Sequence, residues 1–552
     1  MPKFNVKYAI VLHLLFALNV QAQNVFIKPE VPLASQVIAK NTTYIIQSVV
    51  DMNGASINVP YNTRIVFNGE GKLINGVLIG NESGLAGNNT QYIGVKCEGT
   101  WKMPVISDEM FDRDVLSDNQ IFKNIEILQS ENIENEINLS SQEYNIYIEE
   151  KNGCGLQLKS HTILNNNSTI RLIPNYLSYY SIIGIANVQD VTINGGMIIG
   201  DLEHHKFIMD NLSQWGHGIN ISVSKNVLIK NVRISKCIGD GIAITGRKEE
   251  LLGEYFNASK DVKIINSVMD CNRRQGMSII HADNVIVESC TFSNTGSLLA
   301  TSPAAGLDIE PNANDRYKQG VRNIKILNCK VFGNKGGGIK VQGYAVVSGI
   351  CSISGVTIEK CEVDGSVDVA ASDVVVRNCH MKSSTIRGTK DVIAKVEFED
   401  CTWENGHGVQ IYYSGYKNFD GNREGGIIDS LIITRGKILI EENLSDSYYK
   451  GAVAYHGGVG CVNHLLCIDS EIRIPVSAGV KFNLTKSNNI PDMKFINCFV
   501  SMPDRCLFTR GAKFENCTID CKLIDMKKTD PLFYNHYIAC NFLIKNNIKC
   551  QF

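Results

Sequence analysis

One short frame recurs along this chain and constrains its fold more than any other feature. From about Val188 onward, a strand-forming segment leads into a polar turn, a glycine and a second short strand, as in NVLIKNVRISKCIGDGIAITG and NIKILNCKVFGNKGGGIKVQG. The strands are only four to six residues long, and no stretch shows the 3.6-residue periodicity of a long helix. A recurring unit of this kind predicts a solenoid rather than several globular domains.

Five of the second strands align on their leading glycines, which are Gly218, Gly241, Gly276, Gly306 and Gly338. After each glycine the first and third residues are apolar, and the second and fourth are mostly polar or small. Because side chains alternate across a strand, the first set predicts a core and the second set faces outward. The glycines are 23, 35, 30 and 32 residues apart, which fits a short coil with the excess in loops. We therefore predict an all-β fold, a right-handed single-stranded parallel β-helix of roughly 20 coils, its hand following from the crossover rule.

Four segments of the chain are distinguished. Residues 1–22 are predicted to be a signal peptide, with Lys3 and Lys7 before an apolar stretch at 9–20 and a small-residue cleavage pattern that places the cut after Ala22. We predict N-terminal capping and first coils at 23–150, a central β-helix with the active face at 151–425, and further coils at 426–552. An apolar stretch this short does not span a bilayer, so a protein of the medium, periplasm or cell surface without a membrane span is expected.

Composition excludes several classes of protein. The chain has 54 basic and 56 acidic residues, a formal net charge of −2 and no basic block, which argues against a nucleic-acid partner. Most of its 18 cysteines occupy one place in the repeat, as in VESC, ILNC and IEKC. We interpret them as small buried residues of a stack rather than as disulfide partners or zinc ligands.

The repeat resembles the pectate-lyase-like superfamily of right-handed β-helices, from about Asn24 to the C-terminus and most clearly over 188–413. The segment GDGIAITG around Asp240 is similar to the paired-aspartate segment of polygalacturonase-type glycoside hydrolases, whose aspartates are the acid and base. Here Gly241 stands at the second aspartate, and the GHG motif at 216–218 precedes the segment instead of following it. GIKV at 338–341 supplies Lys340 without the family's arginine. The resemblance thus implies the fold, and the catalytic set departs from the family pattern.

Asp308 and Glu310 are the strongest catalytic candidates. They stand at i and i+2 of one strand, so both face the same way with Cα atoms about 6.5–7 Å apart. Glycoside hydrolysis uses two carboxyl groups, about 6.5–9.5 Å apart for inversion and about 5–5.5 Å for retention, and the backbone spacing favours inversion. We predict a glycoside hydrolase with no cofactor or metal, in which Asp240 is a third carboxylate. The alternative for this pair is a solvated strand face with Asp308 paired to Lys340.

The predicted substrate-binding residues are outward-facing members of the same sheet or its turns. They comprise His217, Asn220, Arg273, Arg274, Lys340 and Tyr412. Histidine and arginine side chains hydrogen-bond to hydroxyl or carboxylate groups of a sugar, and an outward tyrosine stacks on its ring. Trp215, before the first GHG turn, is a further aromatic candidate for which core or loop packing is the stronger interpretation.

Two other functions remain open. Arginine or lysine as a base, with calcium held by Asp240, Asp308 and Glu310, would make the protein a polysaccharide lyase or a uronate epimerase, since hard oxygen ligands suit calcium. A non-catalytic glycan-binding or adhesive β-helix is the alternative outside enzymes. A carboxylate cluster in a cleft indicates an enzyme, whereas scattered, mutually paired charges indicate a spacer. In each case the partner is a polysaccharide, and the sequence does not indicate the oligomeric state.

Overall fold

The computed structural model describes residues 23–87, 90–208, 213–246, 257–313, 319–342, 344–345, 352–388, 394–413, 416–417, 423–424, 427–440, 453–456, 461–473, 492–502, 512–521 and 537–543. The predicted signal peptide, 1–22, lies outside these residues. The chain divides into two compact units at 133/134, so the predicted N-terminal segment 23–150 covers the first unit and the start of the second. In the described part, no helix has the length and apolarity needed to cross a bilayer.

The first unit is built from short parallel strands and two helices. Its strands are β1 (Gln23–Phe26), β2 (Thr42–Ile46), β3 (Val49–Asp51), β4 (Ser56–Asn58), β5 (Arg64–Phe67), β6 (Lys72–Leu85), β7 (Tyr92–Trp101) and β8 (Val105–Ser107). Its helices are α1 (Leu33–Gln36) and α2 (Asp118–Leu128), and a 3-10 turn spans Asp108–Met110. The long strand β6 pairs in parallel with β3, β4, β5 and β7. This part of the segment predicted to contain the N-terminal cap and first coils thus forms parallel strands.

Helix α2 is an element that the sequence analysis did not predict. Ser117 caps it by accepting a hydrogen bond from the backbone N–H of Gln120, and one face is buried. Asn124 on that face accepts from the N–H of Cys97 at 3.0 Å and donates to the carbonyl of Val95 at 3.0 Å. At 11 residues the helix is too short to stand out from a strand-rich chain by periodicity, and contacts with β7 stabilise it.

The second unit winds through three parallel faces. The first face comprises β9 (Asn135–Leu139), β12 (Thr162–Asn166), β15 (Gln189–Asn194), β18 (Lys225–Lys230), β21 (Ser259–Ile265), β24 (Ala282–Glu288), β28 (Gly320–Leu327), β32 (Ser352–Glu359), β34 (Val374–Arg377), β36 (Ala394–Glu399), β40 (Ile427–Thr434), β43 (Cys461–Ile468), β45 (Asp492–Ile496), β47 (Ala512–Glu515) and β49 (Tyr537–Ile538). The second comprises β10 (Glu143–Ile146), β13 (Thr169–Leu172), β16 (Met197–Ile199), β19 (Arg233–Ser235), β22 (Val268–Asp270), β25 (Thr291–Ser293), β29 (Lys330–Phe332), β41 (Lys437–Leu439), β44 (Glu471–Arg473), β46 (Phe499–Met502), β48 (Thr518–Cys521) and β50 (Asn541–Leu543).

The third face comprises β11 (Cys154–Gln157), β14 (Tyr179–Ala186), β17 (Trp215–Ser222), β20 (Asp240–Thr245), β23 (Gln275–Ile279), β26 (Ala305–Ile309), β30 (Ile339–Gln342) and β42 (Val453–His456). Three longer strands, β33 (Glu362–Ala370), β35 (His380–Gly388) and β37 (Thr402–Tyr413), continue from the second face into the third. Two small ribbons remain, parallel β27 (Asn312–Ala313) with β31 (Tyr344–Ala345) and antiparallel β38 (Tyr416–Lys417) with β39 (Arg423–Glu424). The predicted all-β, right-handed parallel β-helix is confirmed, and its coils continue into 426–552.

The glycine frame has a steric cause at the corner where each coil enters the third face. A Cβ atom at Gly276 would lie 2.5 Å from the carbonyl oxygen of Gly306, and one at Gly338 would lie 2.2 Å from Cγ1 of Val363. Only glycine fits at a place where successive coils approach this closely. The predicted register is confirmed, because Ser278 pairs with Asp308 in the next strand.

The cysteines of the repeat fill the core. Eight of them are almost completely buried and unpaired: Cys237, Cys290, Cys329, Cys361, Cys379, Cys401, Cys498 and Cys517. The Cys290 thiol donates to the carbonyl of Glu288 at 3.3 Å, two residues earlier, and Cys329 does the same to Leu327 at 3.3 Å. The interpretation as small buried residues of a stack is confirmed for these positions.

Candidate functional site

Three of the predicted acidic residues meet on the third face. Asp240 opens β20, Asp308 lies in β26, and Glu310 follows that strand directly. Gln275, at the start of β23, is the register partner of Asp240, and it lies in the coil between Asp240 and Asp308. These four residues and Arg274 are called the carboxylate cluster below.

Arg274 joins two of the acids. Its Nη1 donates to both oxygens of Asp240, at 3.0 and 3.2 Å, and its Nη2 donates to Oε1 of Glu310. An arginine between two carboxylates compensates part of their charge and fixes their positions, since the guanidinium is planar and rigid.

Gln275 joins Asp308 to Glu310. Its Nε2 donates to Oδ2 of Asp308 at 2.9 Å and to Oε1 of Glu310 at 3.0 Å. Two bonds to one nitrogen hold these oxygens no more than about 5.9 Å apart. The separation expected for inversion is therefore not met by these two oxygens, because the side chains converge on Gln275 although the Cα atoms do not.

The cluster is buried, whereas the strand alternation predicted an exposed face. Asp308 is 2% exposed and Glu310 9%, and Asp240 has no exposed surface. The acids do point away from the core, but Arg274 and Gln275 lie against them. Oδ1 of Asp308 and Oε1 of Gln275 have no hydrogen-bond partner. Such atoms are costly to bury, so the arrangement is poor for stability alone.

Burial and mutual repulsion set the protonation of the acids. Burial, followed by the nearby charge of Glu310, raises the pKa of Asp308 well above its ordinary value of 3.8. Burial also raises the pKa of Glu310, but there the charge and the hydrogen bond of Arg274 oppose it. Burial disfavours the charge of Arg274, yet Asp240 and Glu310 outweigh it and raise that pKa, so the arginine stays protonated. The proton of the acidic pair is thus favoured on Asp308.

His217, predicted from the sequence to bind substrate, lies beside the cluster. Its Nδ1 accepts from the backbone N–H of Asp240 at 3.2 Å and lies 3.6 Å from Oδ2 of the same residue. Burial lowers the pKa of His217. An accepting Nδ1 carries no proton, so the ring is neutral with its proton on Nε2. Asn220, half-buried in β17, accepts a long 3.5 Å hydrogen bond from Thr245.

Arg273 and Arg274 are adjacent in sequence but separate in the structure. The Arg273 guanidinium lies 4.6 Å from the ring centre of Phe207 and donates to the carbonyl of Ser213. Its side chain is buried, and burial lowers its pKa. The structure therefore brings Arg274 to the cluster and packs Arg273 elsewhere, because consecutive side chains point in different directions.

Lys340 and Tyr412 are the remaining predicted substrate-binding residues. Lys340 is the register partner of Asp308, but the two form no ion pair in the part of the chain that the structure describes. The Tyr412 side chain lies outside the described atoms, although its backbone belongs to β37.

Sequence reasoning missed three polar residues of this face. Gln275 and Ser278 were aligned correctly but not singled out, and Ser278 donates to Oδ2 of Asp240 at 2.7 Å. Asp368, the next register partner of Lys340, is buried with its Oδ1 unpartnered. The strand register was the pattern that pointed to them, because it places Asp368 in the same column as Asp308.

Calcium does not fit the three acids as they stand. Arg274 occupies the space between Asp240 and Glu310, where a cation would need to bind. Within the described residues, no group of three acidic, histidine or cysteine side chains has a metal-binding arrangement. Calcium binding by Asp240, Asp308 and Glu310 would first require Arg274 to move away.

Comparison with known proteins gives partial matches. No family model matches the chain. YclG of Bacillus subtilis (strain 168), an uncharacterised protein, is 30% identical over 184 residues, which is 32% of this chain and 31% of YclG. The prophage-derived YorA of the same strain is 29% identical over 204 residues, 36% of this chain and 35% of YorA. The match thus spans about a third of each relative.

Similar solved structures share little sequence with the chain. A tailspike protein of E. coli bacteriophage HK620, in complex with a hexasaccharide, has a TM-score of 0.44 at 11% identity, covering 80% of this chain and 78% of its own. The A-module of the Azotobacter vinelandii mannuronan C-5 epimerase AlgE4 has a TM-score of 0.42 at 12% identity, covering 62% and 89%. The in-register parallel sheets, with the hand that crossovers between parallel strands take, make the chain a right-handed parallel β-helix protein.

Proposed function

We propose that the protein is a secreted glycoside hydrolase that cleaves a polysaccharide at the carboxylate cluster. The observation that carries the proposal is the burial of three acids beside one bonded arginine, Arg274, with an oxygen of Asp308 left unpartnered. Burying carboxyl groups costs stability unless each is paired, and a passive rod has no need of them. Strongly perturbed acids gathered in one place are typical of catalytic sites.

The environments divide the roles of the two central acids. Asp308, whose pKa is raised most by burial, keeps its proton and is the general acid that protonates the leaving glycosidic oxygen. Glu310, bonded to Arg274, is the ionised partner. Two carboxyl groups in unlike environments are what this chemistry requires, since one must donate a proton while the other is charged.

The separation of the pair favours retention of configuration. The facing oxygens of Asp308 and Glu310 lie no more than about 5.9 Å apart, below the inverting range of about 6.5–9.5 Å. On this basis Glu310 attacks the anomeric carbon while Asp308 protonates the leaving group. A glycosyl–Glu310 ester forms as the glycosidic bond breaks, and water then hydrolyses that ester with Asp308 as base.

Asp240 and His217 are assigned supporting roles. Asp240 is completely buried and binds Arg274 and Ser278, so it holds the arginine against Glu310 rather than contacting substrate. His217 holds the backbone of Asp240 through its Nδ1. Substrate approaches from the side of Glu310, the most exposed of the three acids, and Gln275 must release Asp308 for proton transfer.

The test uses the purified mature chain with neutral and acidic polysaccharides, including xylan, polygalacturonate and alginate. We expect new reducing ends without the ultraviolet absorbance of unsaturated uronates. The Glu310→Gln and Asp308→Ala variants should lose about 100-fold or more in rate, while Glu288→Gln, on the first face, should retain activity. Circular dichroism confirms that each variant is folded.

Other outcomes assign the alternatives. Calcium-dependent, ultraviolet-absorbing products would make the protein a lyase, and a change in uronate configuration without cleavage would make it an epimerase. Binding by wild type and variants alike, without any product, would identify a non-catalytic glycan-binding β-helix.

A further inference from the structure

Two exposed aromatic side chains stand next to each other on the third face, on the N-terminal side of the carboxylate cluster. Tyr179 opens β14 and is 65% exposed, and Trp215 opens β17 and is 39% exposed. They are register partners in adjacent parallel strands. Core or loop packing was the stronger interpretation of Trp215 from the sequence, and at 39% exposure its side chain is not in the core.

The backbone beneath these rings is held firmly. Trp215 donates its backbone N–H to the carbonyl of Ser178 at 3.2 Å, and the hydroxyls of Ser178 and Ser213 lie 3.3 Å apart. Beside Tyr179, the buried Tyr180 hydroxyl donates to Asp201 at 2.6 Å. Anchoring of this kind reduces the entropy lost when exposed rings bind a ligand.

The rings lie obliquely to the catalytic pair. Asn220 shares the register column of Asp308, and Trp215 is five residues before Asn220, roughly 16 Å along the strand. Trp215 is two residues before His217, which contacts Asp240. The strands β17, β20, β23 and β26 are successive neighbours on this face. With strands about 4.8 Å apart, Trp215 lies roughly 15 Å and Tyr179 roughly 19 Å from the level of Asp308, a distance of several sugar units.

We propose that Tyr179 and Trp215 form an aromatic subsite that binds sugar rings of a long polysaccharide remote from the cleaved bond. The inference rests on the proposed function, and it identifies a polysaccharide chain that crosses successive coils of the third face obliquely. Aromatic faces bind the apolar C–H faces of sugar rings, and the solvent-exposed surroundings leave the sugar hydroxyls hydrated. Such a subsite acts on long substrates and leaves short ones unaffected.

Tryptophan chemistry offers a direct test. The chain has three tryptophans, and Trp101 and Trp403 are almost completely buried, so N-bromosuccinimide should oxidise Trp215 selectively. Xylan, polygalacturonate and alginate are tried in turn as the protecting polysaccharide. Protection of Trp215 by at least one of them is expected, and absence of protection by all three would overturn the subsite.

Substitution separates this subsite from the catalytic pair. Trp215→Ala should weaken binding and raise KM for long chains about tenfold, leave kcat unchanged, and leave short oligosaccharides unaffected. Trp215→Tyr should restore most of the affinity, and Phe332→Ala, which removes an exposed ring from the second face, should have no effect.

The two proposals fail in different ways. Cleavage that is equally sensitive to Trp215→Ala for long and short substrates would refute the subsite and leave the hydrolase intact. Protection of Trp215 without cleavage would refute the hydrolase and keep the subsite as part of a glycan-binding surface.

Discussion

Replacing Asp308 by asparagine tests the central electrostatic argument, because it keeps the size of the side chain and removes its titration. The pKa of Asp308 is raised by burial and by Glu310, so the folded protein holds a proton that the unfolded chain releases above its ordinary value of 3.8. The free energy of unfolding therefore decreases as the pH rises from 3.8 to the native-state pKa of Asp308, by about 1.4 kcal/mol for each pH unit. Below pH 3.8 the free energy of unfolding is not reduced by this effect. Above pH 3.8 it falls until the pH reaches the native-state pKa of Asp308.

The Asp308→Asn variant lacks this penalty. At low pH it should be about as stable as wild type or up to about 1 kcal/mol less stable, since the amide gains donors without assured partners. As the pH rises, its stability relative to wild type should increase, while its activity is lost at every pH. Asp308 is 2% exposed, so solvent screening reduces the effect little.

Asp283→Asn is the matched control of opposite sign. The hydrogen bond from Arg322 lowers the pKa of Asp283, so its charged form contributes stability above pH 3.8 that is lost as the pH falls through the native-state pKa. At neutral pH this partly exposed pair should contribute less than about 1 kcal/mol. The Asp283→Asn variant should therefore be less stable than wild type at neutral pH and equal to it in acid.

The assay is urea unfolding of residues 23–552 followed by tryptophan fluorescence, at intervals from pH 4 to pH 8. The quantity of interest is the change with pH in the difference between variant and wild type. If Asp308→Asn is destabilised by the same amount at every pH, or increasingly as the pH rises, then Asp308 is not held protonated and its assignment as the acid is wrong.

Two further predictions concern stability and use the same unfolding assay. Gly276→Ala should destabilise the protein by about 3 kcal/mol, because its Cβ would lie 2.5 Å from the Gly306 carbonyl, whereas Gly84→Ala, with no atom closer than 3.5 Å, should cost less than about 1 kcal/mol. Near-wild-type stability of Gly276→Ala would contradict the steric origin of the glycine frame. Asp201→Ala should lower the free energy of unfolding by about 3–5 kcal/mol, because it leaves buried donors, including the Tyr180 hydroxyl, unpaired. A loss no larger than that of Tyr180→Phe would refute this prediction.

The three acids and Arg274 were predicted as site residues from the sequence, whereas Gln275 and the contacts among them were not. Counting from the repeat glycines predicts that Asp308 lies beside Ser278 and Lys340, because aligned positions are neighbours in parallel in-register strands. The same alignment predicts an exposed face, because it contains no information on the long polar side chains that lie across a neighbouring strand. Arg274 and Gln275 do so, and they turn an outward face into a buried network.

Helix α2 and the two arginines are further features that packing decides and local sequence does not predict. Asp118–Leu128 is short and gains its stability from contacts with β7, so local pattern alone was insufficient. Arg273 and Arg274 have the same charge and adjacent positions, and only the packing of Phe207 against Arg273 separates them.

The sequence alone determined the solenoid, its register and the column of polar residues on one face, because a β-helix repeats the same local interactions in every coil and each coil contacts only its neighbours. The tertiary structure decided which of those residues are buried, which oxygen of Asp308 lacks a partner, and which two acids Arg274 binds. Those properties depend on side-chain conformation and on the exclusion of water, which arise only when several coils are assembled.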